Sequence, residues 1–225
     1  MQRKLTTTKD GSHSLYLPEM DEHYHSLHGS IAEAMVVYIG NGLWEKAKAQ
    51  SNIKIFEMGF GTGLNAMLSW MEARKKALKV EYLCLEKYPL EEAEWQSLNF
   101  AKESGFDQSK FEVLHQAKWG EWIEIDQFFK LKKIKDDLRR VSLPNDLDLI
   151  YFDAFAPEKQ PQLWEKEVFE KMHVALQANG ILTTYCVKGE VKRRLKEIGF
   201  EIEKLPGPVG GKREVLRASK VKSDA

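Results

Sequence analysis

The stretch "KIFEMGFGTGLNAM", Lys54 to Met67, limits what this chain can fold into more than any other. Three glycines at alternate positions, Gly59, Gly61 and Gly63, follow a short apolar run and precede a helix-compatible segment. Ordered glycine loses more backbone freedom than any other residue, so such a cluster needs a physical reason. Either the turn is tight, or something bulky must lie against bare backbone. At the end of a parallel strand the second reason applies, because the following helix also offers free amide donors there.

From Ile53 onward the chain alternates between strand and helix patterns. A strand over Ile53–Met58 leads through the glycines to a helix over Leu64–Lys76, then a strand over Val80–Glu86 and a helix opened by Pro89. "FFKLKKIKDD" reads as a third strand ending at Asp136, and "DLDLIYFDAFAP" as a fourth, apolar up to Asp153. Trp164–Leu176 and Val191–Ile198 read as helices around a strand over Gly180–Val187. Two short strands, Phe200–Leu205 and Glu214–Ala218, flank the loop "PGPVGGKR". Alternation of this kind implies a parallel sheet with helices on both faces. The last two strands are joined too closely for a crossover, so they are expected to be antiparallel. This is the α/β layout of the class I methyltransferase fold, Rossmann-like, with a mostly parallel seven-stranded sheet and a C-terminal antiparallel hairpin.

Before the alternation, "LTTTKDGSHSLYL" carries a two-residue hairpin signal at Asp10-Gly11, predicting a β-ribbon over Leu5–Leu17. Ile31, Ala34, Met35, Tyr38 and Ile39 then recur at helical spacing, with Asn41-Gly42 as the expected helix end. Residues 1–50 are thus expected to form a ribbon and helix covering the site, and 51–225 the main domain, in one unit.

Lys and Arg (34) balance Asp and Glu (34), so any nucleic-acid binding must rest on a local patch. From Cys186 to the end the balance shifts to eleven basic against six acidic residues. Cys84 and Cys186 lie in apolar runs and read as reduced, packed thiols. The polar start "MQRKLTTTKDGSHSLY" and the lack of a long apolar run predict a cytoplasmic protein without a membrane partner. No carboxylate completes a ligand set around His23, His25 and His28, so no metal is expected. The run "KLKKIKDDLRR" reads as a solvated surface.

The glycine turn does not match a dinucleotide fingerprint, whose sixth position here is Leu64, nor a P-loop, which needs a lysine. It reads E-x-G-x-G-x-G, with Glu57 two residues before Gly59. An acid there would repel a pyrophosphate and suits a ligand with a positive amino-acid end, such as S-adenosylmethionine. Glu86, twenty-three positions after Gly63, is placed to accept from ribose hydroxyls, and Asp136 or Asp137 from an adenine amino group. Asp153, between an apolar strand and "AFAP", is the expected partner of an acceptor amine. Trp164 is expected at the mouth.

Taken together, "DEHYHSLHGSIAEA", "FEMGFGTGLN", "LEKYPL", "YFDAFAPEKQPQLW", "TTYCVKGEVKRRLKEIGF" and "LPGPVGGKRE" resemble one family along nearly the whole chain. It is the methyltransferase part of the bifunctional tRNA wobble-uridine enzymes of the MnmC type, with its stand-alone counterpart MnmD. The resemblance implies methyl transfer from S-adenosylmethionine to the amine of 5-aminomethyl-2-thiouridine in the tRNA anticodon loop. It assigns the cofactor to Glu57, Gly59, Phe60, Gly61, Thr62, Gly63, Asn65, Glu86, Lys87, Asp136 and Asp153. It assigns the acceptor to Tyr24, His25, Ser26 and Glu33 of the N-terminal motif and to Phe155, Pro157 and Trp164. With tRNA as substrate, the basic residues Lys188, Lys192, Arg193, Arg194, Lys212 and Arg213 are expected to meet its phosphates. Asp153 would be catalytic. In fused members a flavin-dependent oxidoreductase follows; here the chain stops after the last strand, so that activity is expected to be missing. A separate enzyme would supply the aminomethyl precursor. Two other readings stand beside it: a methyltransferase of the same fold acting on a small-molecule or protein amine, and a non-catalytic tRNA-binding module.

Overall fold

The computed structural model describes residues 2–221, so the last four residues of the predicted 51–225 domain lie outside the described residues. The apolar run before the glycines forms β4, Asn52–Met58, the centre of the sheet. Its neighbour β5, Lys79–Leu85, pairs with it in parallel from Asn52↔Lys79 to Met58↔Leu85. On the other side β8, Leu147–Phe152, pairs in parallel from Ile55↔Leu149 to Met58↔Phe152. All six residues of β8 are buried, as a strand covered on both faces requires.

The remaining strands are β9 (Leu176–Thr184), β11 (Glu214–Lys220) and β10 (Phe200–Pro206) beyond β8, and β7 (Phe129–Ile134) and β6 (Trp122–Asp126) beyond β5. The order β10-β11-β9-β8-β4-β5-β7-β6 makes eight strands. The expected C-terminal hairpin is present, with β11 antiparallel to both β10 and β9. The eighth strand, β6, corrects the expected count of seven and runs antiparallel to β7 at the opposite edge. It was illegible because none of its five residues is buried, so apolar patterning signals it weakly.

Period-two alternation sends Ile53 and Ile55 to one face of the sheet and Phe56 and Met58 to the other, into two separate cores. The first core takes Leu68 and Trp70 of α3 (Leu64–Lys76) and Phe111 of α6 (Gln108–Gln116). The second takes Phe169 of α7 (Lys166–Ala175) and Leu195 of α8 (Gly189–Ile198). Between β5 and α6 lie α4 (Glu92–Gln96) and α5 (Phe100–Ser104). Pro89 does not open α4; Glu91 caps it through a reciprocal bond pair with Glu94.

The N-terminal segment forms its own three-stranded sheet of β1 (Lys4–Thr7), β2 (His13–Leu17) and β3 (Glu22–His23). Its first turn is a five-residue loop, since Thr7 pairs with His13, and not the two-residue hairpin expected. The Asp10 carboxylate organises that loop, accepting from Thr8 Oγ1 at 2.7 Å, Ser12 N at 3.1 Å and Ala32 N at 3.0 Å. Arg3 ties the sheet to the main body: its guanidinium donates to Tyr24 Oη at 2.9 Å, Glu94 at 2.8 Å and the Tyr88 carbonyl at 2.6 Å.

The following helix does not end at Asn41-Gly42. After α1 (Ser30–Ala34) it widens into a π-helix over Met35–Leu43 and resumes as α2 (Trp44–Ala47). Nine residues of π-helix is uncommon, and such segments cluster at functional sites. Gly42 serves close packing: a Cβ there would stand 3.1 Å from both Leu149 and Tyr151 of β8. Among the described residues, no helix is long and apolar enough to cross a membrane. Gly42→Val is expected to destabilise the protein by about 1–3 kcal/mol through overpacking. Urea unfolding checks this, and an unchanged midpoint would contradict the packing.

Candidate cofactor and acceptor site

The chain crosses from β4 to β5 on one side and later returns to β8 on the other, so the strand order reverses beside β4. Beyond the carboxyl ends of these strands, where such sheets hold ligands, lies a cavity of about 520 Å³. Gly59, Phe60, Gly61, Thr62 and Asn65 line it, as do Glu86, Lys87, Asp136, Asp153 and Phe155. Tyr24, His25, Ser26, Glu33 and Lys212 reach it from the two ends of the chain.

Gly59 is required by contact. Its φ is +91°, and a Cβ would lie 2.7 Å from the Asp153 carbonyl oxygen. The same junction is closed by Asp153 N donating to the Met58 carbonyl at 3.1 Å. Glu86 splints the turn: one oxygen accepts from Gly61 N at 2.9 Å and the other from Tyr88 N at 2.8 Å. A carboxylate has about four acceptor positions, so two remain for hydroxyl donors in the cavity. Gly63 serves the helix start and does not line the cavity; a Cβ there would stand 2.9 Å from His115 Nε2. His115 donates that Nε2–H to the Thr62 carbonyl at 3.1 Å and stacks on Trp95 at 5.0 Å. Burial drives its pKa down to about 3, so the ring is neutral.

Glu57 corrects the expected cofactor contact. It is fully buried, on the α3 side of the sheet beneath the turn, and is not among the lining residues. Burial pushes its pKa well above the carboxylate range, so it is held protonated. Asn65 and Tyr82 lie close enough to oppose that rise, but neither Glu57 oxygen closes a hydrogen bond of ordinary geometry.

Two aspartates mark the side of the cavity beyond β5 and β7. Asp137 accepts from Arg139 at 2.7 Å and Lys87 at 3.0 Å, and the hydrogen bonds from Arg139 lead in holding it far below its usual range. Asp136 takes Arg140 Nη2 at 2.6 Å and Asp137 N at 2.7 Å on one oxygen alone, leaving the other for a ligand. The predicted solvated run is therefore partly a clamp. It also hides Lys133, 1 % exposed, which donates to the His115 carbonyl at 2.5 Å and sits 4.7 Å over the Trp119 ring.

The remaining end carries the carboxylates of Asp153 and Glu33. Asp153 Oδ2 accepts from Asn65 Nδ2 at 2.9 Å, and burial raises the Asp153 pKa to about 7. Glu33 adds repulsion, while Tyr38, Asn65 and Lys212 favour the charged form. Tyr38 reaches this region from the π-helix, although its hydroxyl closes no hydrogen bond of ordinary geometry. Glu33 accepts from Ser26 N at 3.0 Å. The Tyr24 ring meets Phe155 edge-on at 5.1 Å, and His25 Nε2 stands 3.2 Å from Thr62 Oγ1.

Several predicted acceptor residues lie elsewhere. Trp164 does not line the mouth; it is fully buried, donating Nε1–H to the Phe155 carbonyl at 2.8 Å, and supports the loop from below. Pro157 is buried in the same loop and is not among the lining residues. Lys188 pairs with Glu158. Arg193 and Arg213 are exposed outside the cavity. Tyr185 and Arg139 also line the cavity, outside the set the sequence motifs predict; the signal for Tyr185 is its place after β9, at the same sheet end as Asp153. Among the described residues, no group of three or more His, Cys, Asp or Glu could hold a metal ion.

Asp153 binds its proton more tightly folded, near pH 7, than unfolded, near 3.8. Its contribution to stability is fully present below about pH 4 and is lost as pH rises through about 7. Relative to Asp153→Asn, the wild-type protein should therefore lose up to about 1.4 kcal/mol of stability per pH unit across that window. Chemical denaturation of both proteins at pH 5 and 8 measures the difference; parallel curves would contradict the burial.

Residues 112–221 match a family described as S-adenosyl-L-methionine-dependent methyltransferase. The tRNA 5-methylaminomethyl-2-thiouridine biosynthesis bifunctional protein MnmC of Azoarcus sp. is 32% identical over 211 residues, covering 86% of this chain and 32% of its own. The protein of the same name from Cupriavidus necator is 30% identical over 222 residues, covering 91% and 32%. The chain thus spans about a third of the length of these relatives. Among solved structures, MnmC2 from Aquifex aeolicus superposes with a TM-score of 0.78 at 23% identity, covering 99% of this chain and 73% of that one, a likeness of fold. The chain belongs to the class I S-adenosyl-L-methionine-dependent methyltransferases and is related to the methyltransferase domain of MnmC.

Proposed function

We propose that this protein methylates the primary amine of 5-aminomethyl-(2-thio)uridine at the wobble position of tRNA. The observation that carries the reading is the composition of the acceptor end: half-buried Asp153 and buried Glu33, with the Tyr24 and Phe155 rings, in one cavity with the glycine turn. A carboxylate pair suits an amine, and aromatic faces suit an unstacked base from a single-stranded loop. The names of the MnmC relatives point to the same nucleoside.

The cavity fits S-adenosylmethionine. Its volume of about 520 Å³ falls within the usual range for such ligands. The unused acceptor positions on Glu86 match the ribose, the free oxygen of Asp136 matches the adenine amino group, and the turn from Gly59 to Thr62 bears no long side chains except Phe60. When bound, the cofactor supplies a methyl group activated by a positively charged sulfur. Asp153 holds the acceptor nitrogen and accepts the proton it sheds, and Asn65 fixes the carboxylate that does so. Holding reactants in line contributes roughly 7–11 kcal/mol, and a positioned base a further 10²–10⁴-fold, so positioning dominates.

A second reading, methylation of a small or protein amine, draws on one observation. Much of the basic C-terminal segment is already neutralised: Lys188 by Glu158, Arg217 by Glu45 and Glu203, and Lys204 by Glu214. Lys192, Arg193, Lys196 and Arg213 form no ion pair among the described residues and are left for phosphates.

Incubation with labelled S-adenosylmethionine and tRNA from cells lacking the modification should place label in 5-methylaminomethyl-2-thiouridine. Label in no nucleoside would contradict the proposal. Asp153→Asn should lower kcat/KM by about 10²–10⁴-fold while leaving binding of the demethylated product within a few-fold. The wild-type rate should rise with pH through about 7 as Asp153 ionises. A flat profile would remove Asp153 as the base.

A further inference from the structure

Lys212 was expected at the phosphate backbone, but its side chain turns inward. Its Nζ lies 3.7 Å from the centre of the Tyr185 ring and 3.6 Å from Glu33 Oε1, inside the same cavity as Asp153. Both contacts are made to groups whose positions are fixed. Ser26 N holds the other Glu33 oxygen at 3.0 Å, and the Tyr185 hydroxyl donates to the carbonyl of Ala154, next to Asp153, at 2.8 Å.

Resting on the reading above that the acceptor is a primary amine, we propose that Glu33 and the Tyr185 ring form a subsite for the acceptor's alkylammonium group, which Lys212 fills until the acceptor enters. The subsite offers a cation the two things that recognise it, a carboxylate oxygen and a π face. The two halves differ in freedom. The Glu33 side chain is 11% exposed, whereas that of Lys212 is 44% exposed and can leave while the site stays intact. Lys212 rides on the connection between β10 and β11, whose base is closed by Gly207 N donating to the Arg213 carbonyl at 3.0 Å. Gly210 and Gly211 leave the tip of that connection open to rotation about its backbone. An ion pair with one exposed partner and a single cation–π contact are weak, so a second ammonium of better fit displaces them readily. A lysine meeting phosphate would instead extend into solvent.

The test uses protein loaded with S-adenosylhomocysteine and four probes: 5-aminomethyluridine, its neutral 5-hydroxymethyl analogue, benzylammonium and benzyl alcohol. If Lys212 occupies the subsite nine-tenths of the time, Lys212→Met should tighten both ammonium probes by about tenfold and leave the neutral ones within about twofold. Glu33→Gln should cut the preference for the charged member of each pair by about tenfold, the part left being due to Asp153. Unchanged S-adenosylhomocysteine affinity in both variants shows that the fold is intact. Lys212→Met that leaves ammonium binding unchanged, or weakens it, overturns the inference. A gain for benzylammonium with neither uridine bound upholds the subsite while the wobble-uridine reading fails. Uridine binding without charge preference overturns the subsite and leaves that reading standing.

Discussion

The contact between the backbone of Gly59 and the carbonyl of Asp153, 2.7 Å from where a Cβ would sit, is the point on which the site is built. It brings the end of β4 against the end of β8, the two strands between which the topology reverses. From that junction the turn runs on to Gly61, whose amide is fastened to Glu86 at the end of β5. Three strand ends are thereby locked into one rim. The groups expected to meet the donor's ribose and the acceptor's amine are held on it by backbone bonds, not by surface side chains. Rigid backbone donors of this kind need no reorganisation when a ligand arrives, which is the physical advantage of placing a site there.

The second constraint is electrostatic. Glu33 and Glu57 are buried and Asp153 is half-buried, and three carboxylates so far withdrawn from water cannot all be charged without compensation. The protein resolves this differently for each. Glu57, with neither oxygen in a good hydrogen bond, stays protonated. Asp153 is poised near neutrality, with Asn65 supporting its charged form. Glu33 is paired with a cation, Lys212, that arrives from the far end of the chain. One environment thus yields a structural acid, a titratable group suited to proton exchange, and an ion-paired carboxylate.

Much of this was legible in the sequence where a residue's role is imposed by its neighbours in the chain. The glycine turn, the helix over Leu64–Lys76, the buried strand ending at Asp153 and the C-terminal hairpin follow from local pattern, and each is present. Glu86 was read from its distance along the chain and lines the cavity as the strand order requires. What was illegible depended on layers of the fold. Glu57 and Trp164 sit in motifs that suggest ligand contact, but strand parity and the loop's own packing turn them inward. Gly42 has the sequence signature of a helix end, yet serves close packing on β8. The N-terminal clasp of Arg3 to Glu94 and the seating of Lys212 on Tyr185 span 91 residues in the first case and two distant elements in the second. No local pattern carries such contacts.

The account stands on the claim that the glycine turn, splinted by Glu86, is the seat of the methyl donor. Titration calorimetry with S-adenosylhomocysteine tests it directly. One equivalent should bind the wild-type protein, and Glu86→Ala should bind about 10–100-fold more weakly, as loss of charge-assisted hydrogen bonds on this scale implies. No heat with the wild-type protein, or equal affinity in the variant, would contradict it.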